Sequence, residues 1–121
     1  TASVADAQMR LELPERIVDP AIRPIALSSR LFGMAVTLKL APRKYAKTVD
    51  EALDLYRQVA STPPSVFLPI LVIEVPREFS SRGVFGDGVC TSLVRSGFVG
   101  ALIEGSVRDS VDVNHKNFPV F

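Results

Sequence analysis

The 121-residue chain carries one cysteine, one histidine and almost no net charge, with 14 basic against 13 acidic side chains. A single cysteine has no partner for an internal disulfide, and Cys90 with His115 cannot complete the four ligands of a structural zinc site. A formal charge of +1 gives no electrostatic footprint for nucleic acid. Lys39, Arg43, Lys44 and Lys47 make a local basic run around Pro42, which reads as the solvated side of a loop. No apolar run approaches the roughly 18 residues of a membrane span, and the first residues lack the basic and apolar blocks of a signal peptide. These absences point to a cytoplasmic protein bound to neither nucleic acid nor membrane. No repeat, low-complexity tract or linker divides the chain, so residues 1–121 are expected to form one domain.

What is present suffices for a core, since 47% of the residues are hydrophobic. Residues 3–11 fit a short amphipathic helix capped by Ser3, with Val4, Ala7 and Leu11 on one face and Pro14 ending it. The proline-containing stretch 16–29 reads as extended or turning, and residues 32–40 alternate as a strand does. Thr48 with Glu51 resembles a capping box, followed at helical spacing by Ala52, Leu55, Tyr56 and Val59 and closed by Pro63 and Pro64. Residues 66–75 are the most apolar run. Pro69 interrupts it, so the strand proper is expected from Ile70. A polar loop over 76–82 follows. The apolar segment 118–121 is expected either to be covered by this subunit or a neighbouring one, or to belong to a longer polypeptide.

Gly83, Asp87, Arg108 and Asp109 form the pattern Gly-x3-Asp-x20-Arg-Asp. Asp87 is a good N-cap for a helix over 88–96, which carries the apolar pairs Val89 with Leu93 and Cys90 with Val94, and Gly97 suits the residue just past its end. Residues 98–103 then read as a buried strand. A helix of about nine residues is roughly 14 Å long, and a strand of four or five residues returns roughly 13 to 17 Å, so the two lengths cancel. With a strand at 68–75 before it, this is a β-α-β unit that brings Asp87, Arg108 and Asp109 to one carboxyl edge, where open α/β folds bind ligands. Glu74 and Glu104 also end strands, and are expected either to point to the same edge or equally to face solvent.

Those residue types suit a carboxylate-bearing substrate on a divalent cation. Free amides of Gly88 and Val89 at the helix start attract an anion, and Arg108 can grip a carboxylate through two parallel hydrogen bonds. Asp109 and Asp87 are hard oxygen donors of the kind Mg²⁺ accepts, needing only one or two protein carboxylates. A 2-oxo acid chelating such an ion would have its carbonyl polarised toward cleavage of its C3–C4 bond. The plainer alternative makes Asp87 a helix cap, Arg108 and Asp109 a surface pair, and Gly83 a turn residue. Cys90 on the apolar helix face reads as core packing, and His115 as a solvated side chain in a polar loop.

With these residues placed, the chain resembles the RraA-like family. The likeness runs through residues 3–7, 19–24 and 33–37, Gly86-Asp87, the turn from Gly97 to Gly100, residues 104–109 and 118–121, and its specific part is the Asp-x20-Arg-Asp spacing. That family includes 4-hydroxy-4-methyl-2-oxoglutarate aldolases, oxaloacetate decarboxylases and the regulator of ribonuclease activity A, and parts of it are labelled demethylmenaquinone methyltransferase. The resemblance implies an α/β three-layer β/β/α swivelling-type domain, a homotrimer or a hexamer, and Mg²⁺ or Mn²⁺ as cofactor. It assigns Arg108 to the pyruvyl moiety, Asp109 to the metal, Asp87 to a metal-bound water that delivers a proton, and the Gly88 and Val89 amides to the substrate carboxylate. The expected activity is class II (divalent-metal) carbon–carbon lysis of a 2-oxo acid with release of pyruvate, by retro-aldol cleavage or decarboxylation. Loss of the Arg-Asp pair would have pointed instead to a non-catalytic trimeric regulator that inhibits a ribonuclease. No glycine-rich loop of the kind that cradles S-adenosylmethionine follows the first strand. Two departures stand out: residues 76–82 replace a glycine-rich turn that would shape the substrate pocket, and Phe121 falls where members continue into further C-terminal strands and helices.

Overall fold

The computed structural model describes residues 2–14, 16–26, 29–40, 58–59 and 65–121. Along the chain these form α1 (Ala2–Arg10), β1 (Met34–Lys39), β2 (Pro69–Glu74), a 3-10 turn (Arg77–Phe79), β3 (Gly83–Phe85), α2 (Asp87–Arg95), β4 (Gly100–Glu104), β5 (Ser106–Val107) and α3 (Ser110–His115). The result is a mixed α/β architecture with two parallel sheets, one ordered β1-β2-β4 and the other β3-β5. The helix expected from Thr48 onward lies outside the described residues except for Gln58 and Val59, which are helical, and so do Arg43, Lys44 and Lys47. No helix among the described residues is long and apolar enough to cross a membrane.

The apolar run at 66–75 becomes the central strand because only a strand hydrogen-bonded on both edges can bury such a sequence. β2 starts at Pro69, one residue before the expected Ile70, since a proline is tolerated at a strand's first position. Its carbonyl accepts from the Val99 amide at 2.9 Å. Leu71, Ile73 and Val75, with Ala101 and Ile103 of β4, send every second side chain into a core shared with Val89, Cys90 and Leu93 of α2, and with Phe85, Phe98 and Val113. The tail closes this core: Phe118 and Val120 are buried, and the amides of Ala101 and Ile103 donate to Pro119 and Phe121 at 2.9 and 2.7 Å. Cover for the tail comes from the chain itself, because Ile25 donates its amide to Val120 at 2.9 Å.

Helix α2 ends as its sequence predicts. Gly97 takes φ 82°, the Phe98 amide donates to Leu93 at 3.0 Å and the Gly97 amide to Val94 at 3.2 Å. This six-to-one and five-to-two pairing is a Schellman end, and it joins two buried apolar residues across the turn. Helix α1 differs from expectation at both ends. It begins at Ala2, so Ser3 lies inside it rather than capping it. It stops through the same device before Pro14 is reached: Glu12 adopts φ 53°, and Leu13 and Glu12 donate to Gln8 and Met9. The face of Val4, Ala7 and Leu11 is exposed within this chain. Strand β1 is shorter than the expected 32–40 because Phe32 lies outside the ladder, and β4 covers 100–104 rather than 98–103.

Leu93 is fully buried where α2 meets the sheet. Leu93→Ala is expected to cost about 2–5 kcal/mol of stability, read as a lowered urea midpoint at unchanged slope.

Candidate functional site

β2 and β4 pair in parallel from Ile70 with Gly100 to Glu74 with Glu104, and α2 crosses between them. The helix therefore starts on the side of the sheet where β4 ends. β3 and β5, paired in parallel beyond those ends, draw the chain after each strand together, and the Arg108 amide donates to Phe85 at 2.9 Å. Asp87 and Asp109 meet as a result: the Asp87 amide points at Asp109 Oδ2, 3.4 Å away.

Two glycines allow this closeness. A Cβ built on Gly86 would sit 2.8 Å from Asp109 Oδ2, 3.1 Å from Arg108 Cγ and 3.3 Å from Arg108 Nε. One on Gly83 would sit 3.1 Å from Arg108 Cδ. Arg108 and Asp109 thus lie over the entrance to α2, in space that any side chain at these positions would occupy. Gly83 belongs to a strand rather than to a turn. Its role is to leave room for Arg108.

Asp87 is not the N-cap that the sequence suggested. Gly86 takes that place with φ −160° and ψ −170°, and its carbonyl accepts the first helical bond from Cys90 at 3.0 Å. The helix begins one residue early because the extended Gly86 already offers its carbonyl inward. The Asp87 carboxylate makes no capping bond and faces Lys116, with Nζ 3.0 Å from Oδ1. Gly88 and Val89 occupy the second and third positions of the helix, whose amides no intrahelical carbonyl can reach. Asp109 is the N-cap of α3 and adopts φ 56°, ψ 34°, with no side-chain cap bond. A left-handed aspartate is tolerated but costly, and it leaves the carboxylate turned toward α2 instead of down its own helix.

All the expected site residues, Asp87, Gly88, Val89, Arg108 and Asp109, therefore fall at one place. Two hard carboxylates, an exposed guanidinium and a helix start suit an anion chelated to a small divalent cation. The described residues hold no cluster of three or more His, Cys, Asp or Glu side chains of the kind that cages a metal without help from substrate or water. An ion such as Mg²⁺, which keeps waters and takes one or two carboxylates, fits this sparse donor set.

Several neighbours complete the picture. Glu74 and Glu104 do end in register at the same sheet edge, where Lys39 Nζ pairs with Glu74 Oε1 at 2.6 Å; the pairing with Glu74, helped by Glu104, raises the lysine pKa. His115 closes α3 rather than lying in a loop, and it is exposed. Lys116 was not singled out from sequence, because six residues at 110–115 are too short for a periodic signal to mark the helix that delivers it. Cys90 is wholly buried beneath Asp87, as core packing requires. Burial pushes its thiol up to about 11, with Lys116 opposing and Asp87 assisting.

The folded chain holds the Cys90 proton above the ordinary value of 9.0. Stability from this group is thus complete below about pH 9 and falls as pH rises toward 11. Urea midpoints measured across that range should decline in the wild type, and the decline should be shallower in Cys90→Ala.

A family model described as RraA-like, Aldolase/RraA, matches residues 1–121. Among solved structures, a chain from a set described as novel cellulases from microbes associated with the gut ecosystem superposes with a TM-score of 0.74 at 21% identity, over 100% of this chain and 52% of that one. Streptomyces coelicolor RraAS2, described as an unusual member of the RNase ES inhibitor RraA protein family, superposes with a TM-score of 0.72 at 20% identity, over 98% of this chain and 56% of that one. The chain spans a little over half the length of either structure.

Proposed function

The chain belongs to the RraA-like family, and from that premise we propose that it is a divalent-metal-dependent carbon–carbon lyase releasing pyruvate from a 2-oxo acid. The carrying observation is the convergence of Arg108 and Asp109 over the first turn of α2, with Asp109 Oδ2 3.4 Å from the Asp87 amide. A merely solvated surface pair would not need two glycines kept bare beneath it.

Each residue then has a chemical task. Arg108 binds the substrate carboxylate through its planar donors, and the Gly88 and Val89 amides add to the same anion site. Asp109 would hold Mg²⁺ or Mn²⁺, with Asp87 beside it. Such an ion, when bound, polarises the keto group of a 2-oxo acid and favours the charge that develops as the C3–C4 bond breaks. Asp87 orients a water that returns a proton to C3 of the departing pyruvyl unit. Substrates of this class include 4-hydroxy-4-methyl-2-oxoglutarate and oxaloacetate. The loop at 76–82, with Arg77, Glu78 and Arg82 at the same edge, bears on the choice between them.

The kinship of RraAS2 to RNase ES inhibitors supports a second reading, a non-catalytic oligomer that binds a ribonuclease through its outer surface. That function makes no demand on Arg108 or Asp109. The two readings part in one assay. Pyruvate release from oxaloacetate or a 4-hydroxy-2-oxo acid should require added Mg²⁺ or Mn²⁺, fall by at least about 100-fold in Arg108→Ala, and lose its metal response in Asp109→Asn. A protein that releases no pyruvate from either acid with metal present, yet inhibits a ribonuclease equally well with and without Arg108, belongs to the second class.

A further inference from the structure

Lys116 is joined to the site by one contact, and the geometry around that contact is unusual. Asp87 Oδ1 is covered and has no hydrogen-bond partner; what faces it is the Lys116 ammonium, 3.0 Å away but not aligned for a hydrogen bond. The Asp87 side chain is nonetheless 41% exposed. Its open surface therefore lies on the rest of the side chain. The lysine comes from a different element, being the C-cap of α3, whose N-cap is Asp109. One six-residue helix thus presents Asp109 at its start and Lys116 just past its end, and both reach the first turn of α2.

From this we propose that Lys116 is a positioning residue for Asp87, holding Oδ1 against the protein so that Oδ2 faces the Arg108–Asp109 side. The inference rests on the lyase reading for its catalytic consequence. A carboxylate at the first helical position with no capping bond is otherwise free to turn about χ1 and χ2. An ammonium on one oxygen removes that freedom and offsets the repulsion between two neighbouring carboxylates. Arginine at 116 would keep the charge and the reach, whereas methionine would keep only the stem.

The test follows deuterium entering the methyl group of pyruvate in D₂O with Mg²⁺, in which a C3–H bond breaks to the enolate and a C3–D bond forms, so proton exchange at C3 is read without carbon–carbon cleavage. Lys116→Met should slow maximal exchange by roughly 10- to 100-fold while leaving the pyruvate concentration at half-maximal rate within about twofold, and Lys116→Arg should recover most of the loss. A second readout needs no turnover: the Asp87 carboxylate carbon resonance should be single in the wild type and in Lys116→Arg, and shifted or broadened in Lys116→Met. Unchanged exchange in Lys116→Met, or the same Asp87 resonance in all three proteins, overturns the proposal. Absence of exchange and of pyruvate release in the wild type overturns the lyase reading instead, and the resonance then decides the role of Lys116 alone.

Discussion

The in-register parallel pairing of β2 with β4 is the constraint on which the rest of the structure depends. Parallel neighbours cannot be joined by a tight turn, so the chain between them must cross over, and the crossover is α2. Because each strand leaves the sheet at the same edge, whatever follows β2 and whatever follows β4 must share that edge. Here both are short strands, β3 and β5, and they pair with each other. That second pairing turns a loose neighbourhood into a fixed one: Phe85 and Arg108 are tied backbone to backbone, and the residues just beyond, Gly86 to Asp87 and Arg108 to Asp109, have no choice but to meet.

Packing then makes the meeting costly to undo. The face of α2 that carries Val89, Cys90 and Leu93 is locked on the sheet, and the Schellman end through Gly97 and Phe98 fixes where the helix stops. The start of the helix is fixed by subtraction, for the same reason. At Gly86 a methyl group would have to share space with Asp109 Oδ2. Asp109 pays for its place with a left-handed backbone, and that local strain persists because β5 on one side and α3 on the other determine it from both directions.

Much of this was legible in the sequence, and the reason is length. A nine-residue helix and a five-residue strand nearly cancel, so the spacing Asp-x20-Arg-Asp alone implies proximity. The apolar run around Leu71 and the end at Gly97 were equally plain, because burial and left-handed geometry leave strong marks on composition. What stayed hidden was decided by single backbone bonds. An aspartate before an apolar helix looks like a cap, yet the extended Gly86 takes that place first, which frees Asp87 for Lys116. Ser3, read as a cap, lies inside α1, which begins at Ala2. The helix that carries Lys116 is too short for periodicity to reveal, since six residues give fewer than two turns.

The lyase and regulator readings share the fold, so the fold cannot separate them, but the cost of the local geometry bears on the question. A surface that only docks a partner needs shape and charge, and both survive small shifts of a side chain. The arrangement over Gly86 is close: a methyl group there would meet Asp109 Oδ2 and Arg108 Cγ, next to a left-handed aspartate and a carboxylate whose buried oxygen faces an ammonium. Strain of this kind is retained where a group must be held to within a fraction of an ångström. Proton return to a specific carbon and bidentate grip of a carboxylate impose that tolerance, whereas adhesion to a macromolecule spreads its requirement over many contacts. Under the proposed lyase reading, the close approach over Gly86 and the left-handed Asp109 gather the two carboxylates and Arg108 around one small-anion site.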